Sequence, residues 1–309
     1  MTEYMPEGNL IHTAENRAAV SSIASLRDAM MRETVLEARV KLCDRQHNMH
    51  LDLGPLNGVI PKEEGAIGVS EGRVRDIALI SRVGKPVCFV VTAIKRDENG
   101  KIYAELSRRR AQEKCMEEYI SALLPGDVIG AKVSHIDNFG VFCDIGCGVS
   151  ALMPIDAVSV SRIPHPSVRF FNGQEIKAVV RGRDNEGRIL LTHKELLGTW
   201  EENAARFQVG ETVPGVIRSV ESYGVFVELA PNLAGLAEYD PDVRAGDTAA
   251  VFIKSILPER MKIKLVIVDT GGEKQPGERR LEYFFDGTHM DRFVYSPPEC
   301  GRVVETVFN

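Results

Sequence analysis

From Ile129 to Ser134 apolar and polar positions alternate: Ile129, Ala131 and Val133 are spaced by Gly130, Lys132 and Ser134. That period of two is the signature of a half-buried strand. Val213, Gly215 and Ile217 repeat it further along. At both places an aromatic residue and a glycine follow, then a second β-rich run, VFCDI after Gly140 and VFVEL after Gly224. A tight turn or bulge joining two strands is predicted there. Several short strands closing over roughly 70 residues suit a small barrel better than an open sheet with exposed edges.

Between these stretches the period changes. ENRAAVSSIASLRDAMMRE, RRRAQEKCMEEYISALLPGD and HKELLGTWEENAARFQVG are rich in Ala, Leu, Glu and Lys, and read as short helices. GGEKQPGE, beginning at Gly271, is a linker signature, and a β-hairpin is expected after it around Asp286 and Gly287.

The barrel pattern is repeated. Gly126 to Pro154 aligns without a gap on Gly210 to Glu238, pairing Phe139 with Tyr223, Gly140 with Gly224, Phe142 with Phe226 and Asp144 with Glu228. The second halves also match once a shorter loop in the later copy is allowed. A more divergent copy begins near Val35, where LEARVKLCDRQHNMHLDLG fits the same frame with one inserted residue. There His47 stands for Phe139 and His50 for Phe142. A repeat of this kind sets both the fold and the domain count.

The chemistry centres on FGVF at 139–142 and YGVF at 223–226. Residues three apart on a flat strand face opposite ways, but a glycine turn between them resets the parity, so both rings can share one barrel surface. Such rings stack on unpaired bases, each worth about 1 to 3 kcal/mol. In the competing reading Phe142 and Phe226 belong to the core. Lys132 and Arg218, on the strands, are solvent-side candidates for phosphate contacts, against the alternative of simply being solvated. His47 and His50 either stack on bases, charge near neutral pH, or are tolerated surface substitutions.

Composition narrows the partners. The net charge is −6 over 309 residues, whereas a strongly electrostatic nucleic-acid binder carries a basic domain. The average hides a gradient: residues 34–110 carry a charge of +4, residues 126–200 are neutral, and residues 201–268 carry −3. Affinity for RNA in the later copies must therefore come from stacking and locally placed cations. A hydrophobic content of 44% fits a globular chain, and no uninterrupted apolar run is long enough to span a bilayer. No secretory signal pattern opens the sequence, so a cytoplasmic location and no membrane partner are expected. The six cysteines form no CxxC pair and read as buried free thiols, with neither metal nor other cofactor expected. No P-loop, dinucleotide fingerprint, nucleophile elbow or zinc-protease motif is present, so catalytic residues are not expected. Asp97 and Asp184 occupy the same place in successive copies and read as structural acids.

The arrangement of glycine, valine, aromatic-Gly-apolar-Phe and a closing Asp-x-x-x-Arg-Ile-x-Leu-Thr, complete from Gly126 to Lys194, resembles the S-one-type RNA-binding repeat. RDIALISRVGKPVCF, THKELLGTWEENAARF and YGVFVELAPNLAGLAE resemble small-subunit ribosomal protein S-one homologues of Gram-positive bacteria. The resemblance implies a mainly β chain of three tandem OB-fold, five-stranded barrels joined by short helices. Its divisions are an N-terminal helical segment 1–33, a divergent repeat 34–110, a helical linker 111–125, a repeat 126–195, a linker 196–209, a repeat 210–268 and a tail 269–309. It also implies an RNA-facing surface of Phe139, Phe142 and Arg188 in the second copy and of Tyr223, Phe226 and Lys262 in the third. The family's exposed histidine is replaced by Pro154 and Glu238, and Glu238 would repel phosphate. The implied role is non-enzymatic binding of single-stranded RNA, messenger RNA in translation, with the small ribosomal subunit as partner; the oligomeric state is not implied. The alternative is a protein-interaction adaptor on the ribosome or an RNA-processing complex.

Overall fold

A computed structural model describes residues 4–271 and 281–309. The first barrel is built from β1 (Leu36–Cys43), β2 (Met49–Asp52), β3 (Asn57–Ile60), β4 (Pro86–Arg96) and β5 (Ile102–Ser107), closed in the order β1-β2-β3-β5-β4. Only β3 and β5 run parallel; the other pairs are antiparallel. The second barrel, β6 (Val128–Asp137), β7 (Gly140–Asp144), β8 (Ser150–Pro154), β9 (Glu175–Arg183) and β10 (Ile189–Thr192), has the same order, with β8 parallel to β10. The third, β11 (Thr212–Glu221), β12 (Gly224–Ala230), β13 (Leu233–Ala237), β14 (Thr248–Leu257) and β15 (Lys262–Thr270), repeats it again. Closure leaves none of these three barrels with a free edge strand. Three closed five-stranded barrels are the mainly β, OB-type architecture that the repeat implied.

The alternation sorts side chains as expected. Ile129, Ala131 and Val133 are buried, as are Val141 and Cys143, while Phe142 between them is only half-buried. Helices plug or join the barrels. α1 (Ala14–Ala19) and α2 (Ile23–Met31) precede the first barrel, each capped by a side-chain hydroxyl, Thr13 and Ser22. Leu26 and Ala29 of α2 enter the same core as Met49, Leu51, Phe89 and Leu106. α3 (Asp76–Ile80) lies between β3 and β4, and α4 (Arg108–Glu118) follows β5 directly. α5 (Trp200–Ala204) starts with a Thr199–Glu202 capping box and sends Trp200 into the core with Ile217, Val227 and Val251.

Some expectations change. ENRAAVSSIASLRDAMMRE forms two helices, because Ser22 caps the second and the chain turns at Val20–Ser22. HKELLGTWEENAARFQVG is broken into a 3₁₀ turn and α5 at Gly198, whose φ of +85° ends the first piece. The hairpin expected at Asp286 and Gly287 is not there. That backbone is spent on neighbours, with the Phe284 amide donating to Leu196 O at 2.9 Å and the Val128 amide to Thr288 O at 2.9 Å. The tail's two-stranded sheet lies later, β16 (Arg292–Val294) against β17 (Glu305–Val307). Beyond its first glycine the GGEKQPGE stretch lies outside the described residues.

The chain divides into two compact units: Met1–Leu123 with Gly130–Lys132 and Asp144–Ser150, and Leu124–Ile129 with Val133–Cys143 and Ala151–Asn309. The first has a buried ionic centre. Glu7 holds Arg108 at 2.7 and 3.0 Å and Arg82 at 2.9 Å, and its amide donates to Asp144 at 2.7 Å. Burial, reinforced by the Glu7 charge, pushes the Asp144 carboxyl up to about 7.

Candidate nucleic-acid interface

The β6–β7 turn is shaped by Gly140. A Cβ there would stand 2.5 Å from Met153 O, so only glycine lets the β8 backbone pass beneath the turn. Gly224 meets the same constraint, 2.5 Å from Ala237 O. The ring before each glycine is consequently held outside: Phe139 is 52% exposed and Tyr223 68%. Phe142 and Phe226 lie half-buried on the same outer face. Phe139 and Phe142 meet edge to face with centroids 5.8 Å apart, and Tyr223 and Phe226 with centroids 6.1 Å apart. The core positions are taken by Val141 and Cys143, and by Val225 and Val227. The glycine does reset the parity, and neither phenylalanine is a core residue.

A row of neighbours extends each ring pair across the sheet. In the third barrel Ser219 is opposite Phe226, Phe226 opposite Leu236, and Leu236 opposite Lys264. Lys262, the expected cation, is exposed two residues earlier on the same face of β15, so two ammonium groups flank this row. In the second barrel Leu152 is opposite Leu190, the place that Lys264 holds in the third. Arg188 is exposed in the β9–β10 turn but ion-paired to Asp184 at 2.7 Å and Glu186 at 3.1 Å. Asp184 and Asp97 each accept two backbone amides within their own turns, which accounts for their repetition as structural acids.

His135 was missed in the sequence. It stands exposed on β6 and stacks on Phe142, with centroids 6.0 Å apart and planes 25° apart. Its counterpart in the third copy is Ser219, which a bulge in β11 brings opposite Phe226. The gapless alignment pairs His135 with that serine, so the repeat itself held no sign of a third ring.

Two expected phosphate ligands are otherwise engaged. Lys132 donates its ammonium to Glu7 O at 3.0 Å and Asn9 Oδ1 at 3.4 Å, so it fastens the N-terminal segment. Arg218 is not solvated. Its side chain is 10% exposed and grips Glu228 with two nitrogens at 2.7 and 3.0 Å. The alternation had placed it outward, but the bulge between Ile217 and Ser219 turns it over the buried acid.

The first barrel carries no comparable platform. Leu42, His50, Val59 and Glu105 form its row, and an acid stands where the third barrel has Lys264. His50 Nε2 lies 2.9 Å from Asp44, whose carboxyl that contact holds down to about 2. His47, in a left-handed turn at φ +65°, lies 3.1 Å from Asp76. Both imidazoles are thus tied to carboxylates. Pro154 closes β8, and Glu238 is exposed just beyond β13. Among the described residues no three His, Cys, Asp or Glu side chains are placed to hold a metal ion. None of their helices is long and apolar enough to cross a membrane.

Residues 124–194 match the family described as S1 RNA binding domain. The chain is 35% identical over 159 residues to the small ribosomal subunit protein bS1 homolog of Bacillus subtilis, covering 50% of this chain and 41% of that protein. It is 29% identical over 306 residues to small ribosomal subunit protein bS1 of Mycolicibacterium smegmatis, covering 92% of this chain and 59% of that one. It therefore spans well under two thirds of either relative. A solved multidomain protein with nucleic acid binding domains from Streptococcus pneumoniae aligns over 77% of this chain and 74% of its own, at 13% identity and a TM-score of 0.24. The second barrel thus coincides with the stretch that matches the S1 RNA binding domain, and the chain is similar to these bS1 proteins over part of their length.

Proposed function

We propose that this chain binds single-stranded RNA, messenger RNA held at the small ribosomal subunit, through the outer faces of its second and third barrels, without catalysing a reaction and in the cytoplasm. The observation that carries this reading is the edge-to-face pair of one exposed and one half-buried ring, repeated at the same place on the outer face of both barrels. Exposed rings cost solvation unless something covers them, and an unpaired base offers a flat face to each. A duplex does not, because its bases are already stacked. The second barrel adds His135 to its rings, whereas the third adds Lys262 and Lys264. Stacking therefore dominates in the former, and phosphate attraction has a larger share in the latter.

The relatives' names support placement in the small ribosomal subunit. The first barrel, with its histidines paired to carboxylates and Glu105 in its row, is left out of this RNA-binding surface. The direct test is anisotropy of the full chain with unstructured RNA, duplex RNA and single-stranded DNA. Tight binding to unstructured RNA and weak binding to the duplex is expected; equal affinity for both would contradict stacking.

A further inference from the structure

The second and third barrels meet in a seam that a flexible linker between independent modules would not produce. Glu228 on β12 is fully buried, and two guanidinium groups share it. Arg218 comes from the third barrel itself; Arg169 comes from the loop joining β8 to β9 and reaches the carboxylate at 2.5 Å. Beside it Asn232, in the β12–β13 turn, is also fully buried. Its Oδ1 accepts from the Val160 amide at 3.0 Å, and its Nδ2 donates to Lys194 O at 2.7 Å and Gly198 O at 2.9 Å. The Ser161 amide adds a bond to Pro231 O at 3.2 Å. The tail seals the far side: the Tyr295 hydroxyl donates to Asn232 O at 2.6 Å, while Tyr295 O accepts from the Trp200 amide at 2.9 Å.

These parts are specific to this junction. The loop carrying Val160, Ser161 and Arg169 is the added length by which the second copy exceeds the third. A buried charge is tolerated only with its partners in place, and losing one of them costs much more than losing a surface pair. The contacts therefore hold or fail together. Their effect is to fix the spacing of the two ring pairs, which removes the entropy of bringing two binding sites onto one strand.

We propose that the second and third barrels are one preorganised RNA-binding body, which takes a single continuous strand across both ring pairs, its spacing set by the seam around Glu228 and Asn232. This rests on the RNA reading above.

The experiment titrates the full chain with oligouridylates of increasing length and reads anisotropy. Affinity is expected to rise in one step, on the order of 10-fold or more, once the strand spans both ring pairs. Arg169→Met combined with Asn232→Ala, in a chain whose circular dichroism is unchanged, should lose that step while short strands bind within about twofold of the parent. A second chain, Phe139→Ala with Phe142→Ala, keeps the seam and should bind long strands no better than the parent binds short ones. Even where the seam variant does not fold, this variant tests whether one strand engages both ring pairs, which the coupling requires. A step that survives in the folded seam variant, a parent with no step, or long-strand affinity indifferent to the ring deletion would each overturn the coupling. Failure to bind strands of any length would instead overturn the RNA reading itself.

Discussion

The His135 imidazole lies nearly parallel to the Phe142 ring, 25° between planes and 6.0 Å between centroids, so the second barrel offers three rings where its sequence motif names two. A stacked ring contributes about 1 kcal/mol or more toward a bound base. His135→Ala should therefore weaken single-stranded RNA binding about fivefold without changing its salt dependence, and His135→Phe should restore it. Anisotropy at two salt concentrations checks both. An alanine variant that binds like the parent would remove the imidazole from the interface.

The cations divide differently from the sequence reading. Lys262→Gln with Lys264→Gln should lower the magnitude of the log-log salt slope by about 1 to 2, since each phosphate contact contributes somewhat less than one. Arg218→Gln should leave the slope unchanged and instead lower stability by about 1 to 3 kcal/mol, because Glu228 loses one of its two guanidinium partners. Salt titrations and denaturant melts separate the two outcomes.

The histidines of the first barrel answer to carboxylates. His47→Ala with His50→Ala should leave RNA affinity within about twofold, and should cost less than about 1 kcal/mol of stability, since both ion pairs are partly exposed. A large loss of affinity would return the first barrel to the RNA-binding surface.

Acid should destabilise the second unit through His193. Burial, with Arg169 nearby, holds its imidazole down to about 4, against the ordinary 6.5, while its ring nitrogens contact Val158 O at 3.2 Å and the Tyr283 hydroxyl at 3.3 Å. The folded state thus favours the neutral ring. Its contribution is complete above pH 6.5 and lost as pH falls toward 4, by up to about 3 kcal/mol. Asp144 in the first unit, raised to about 7, acts in the opposite sense, gaining relative stability as pH falls through that value. Comparing His193→Gln with the parent across pH 4 to 8 isolates the histidine: the variant's pH dependence should be flatter, and identical slopes would contradict the assignment.

Much of the fold was legible because it is repeated. Alternation gave the strands, the gapless overlap of Gly126–Pro154 with Gly210–Glu238 gave two equivalent barrels, and the two glycines placed the rings before them outside. Features set by irregular backbone were not legible. A bulge turns Arg218 inward and brings the His135 position opposite the phenylalanine, and period-two reasoning has no term for it. The bond from Lys132 to the Glu7 carbonyl was not legible because that partner is distant in sequence. The Asp286–Gly287 turn signal was overruled by backbone bonds to Leu196 and Val128, which local propensity does not contain.

The most direct measurement removes all four motif rings at once, Phe139, Phe142, Tyr223 and Phe226 to alanine, and compares single-stranded RNA binding and thermal melting with the parent. Outward-facing rings predict at least about a 100-fold loss of affinity with the melting transition nearly unchanged. Undiminished binding, or a collapse of the fold with binding, would contradict a surface that works by stacking.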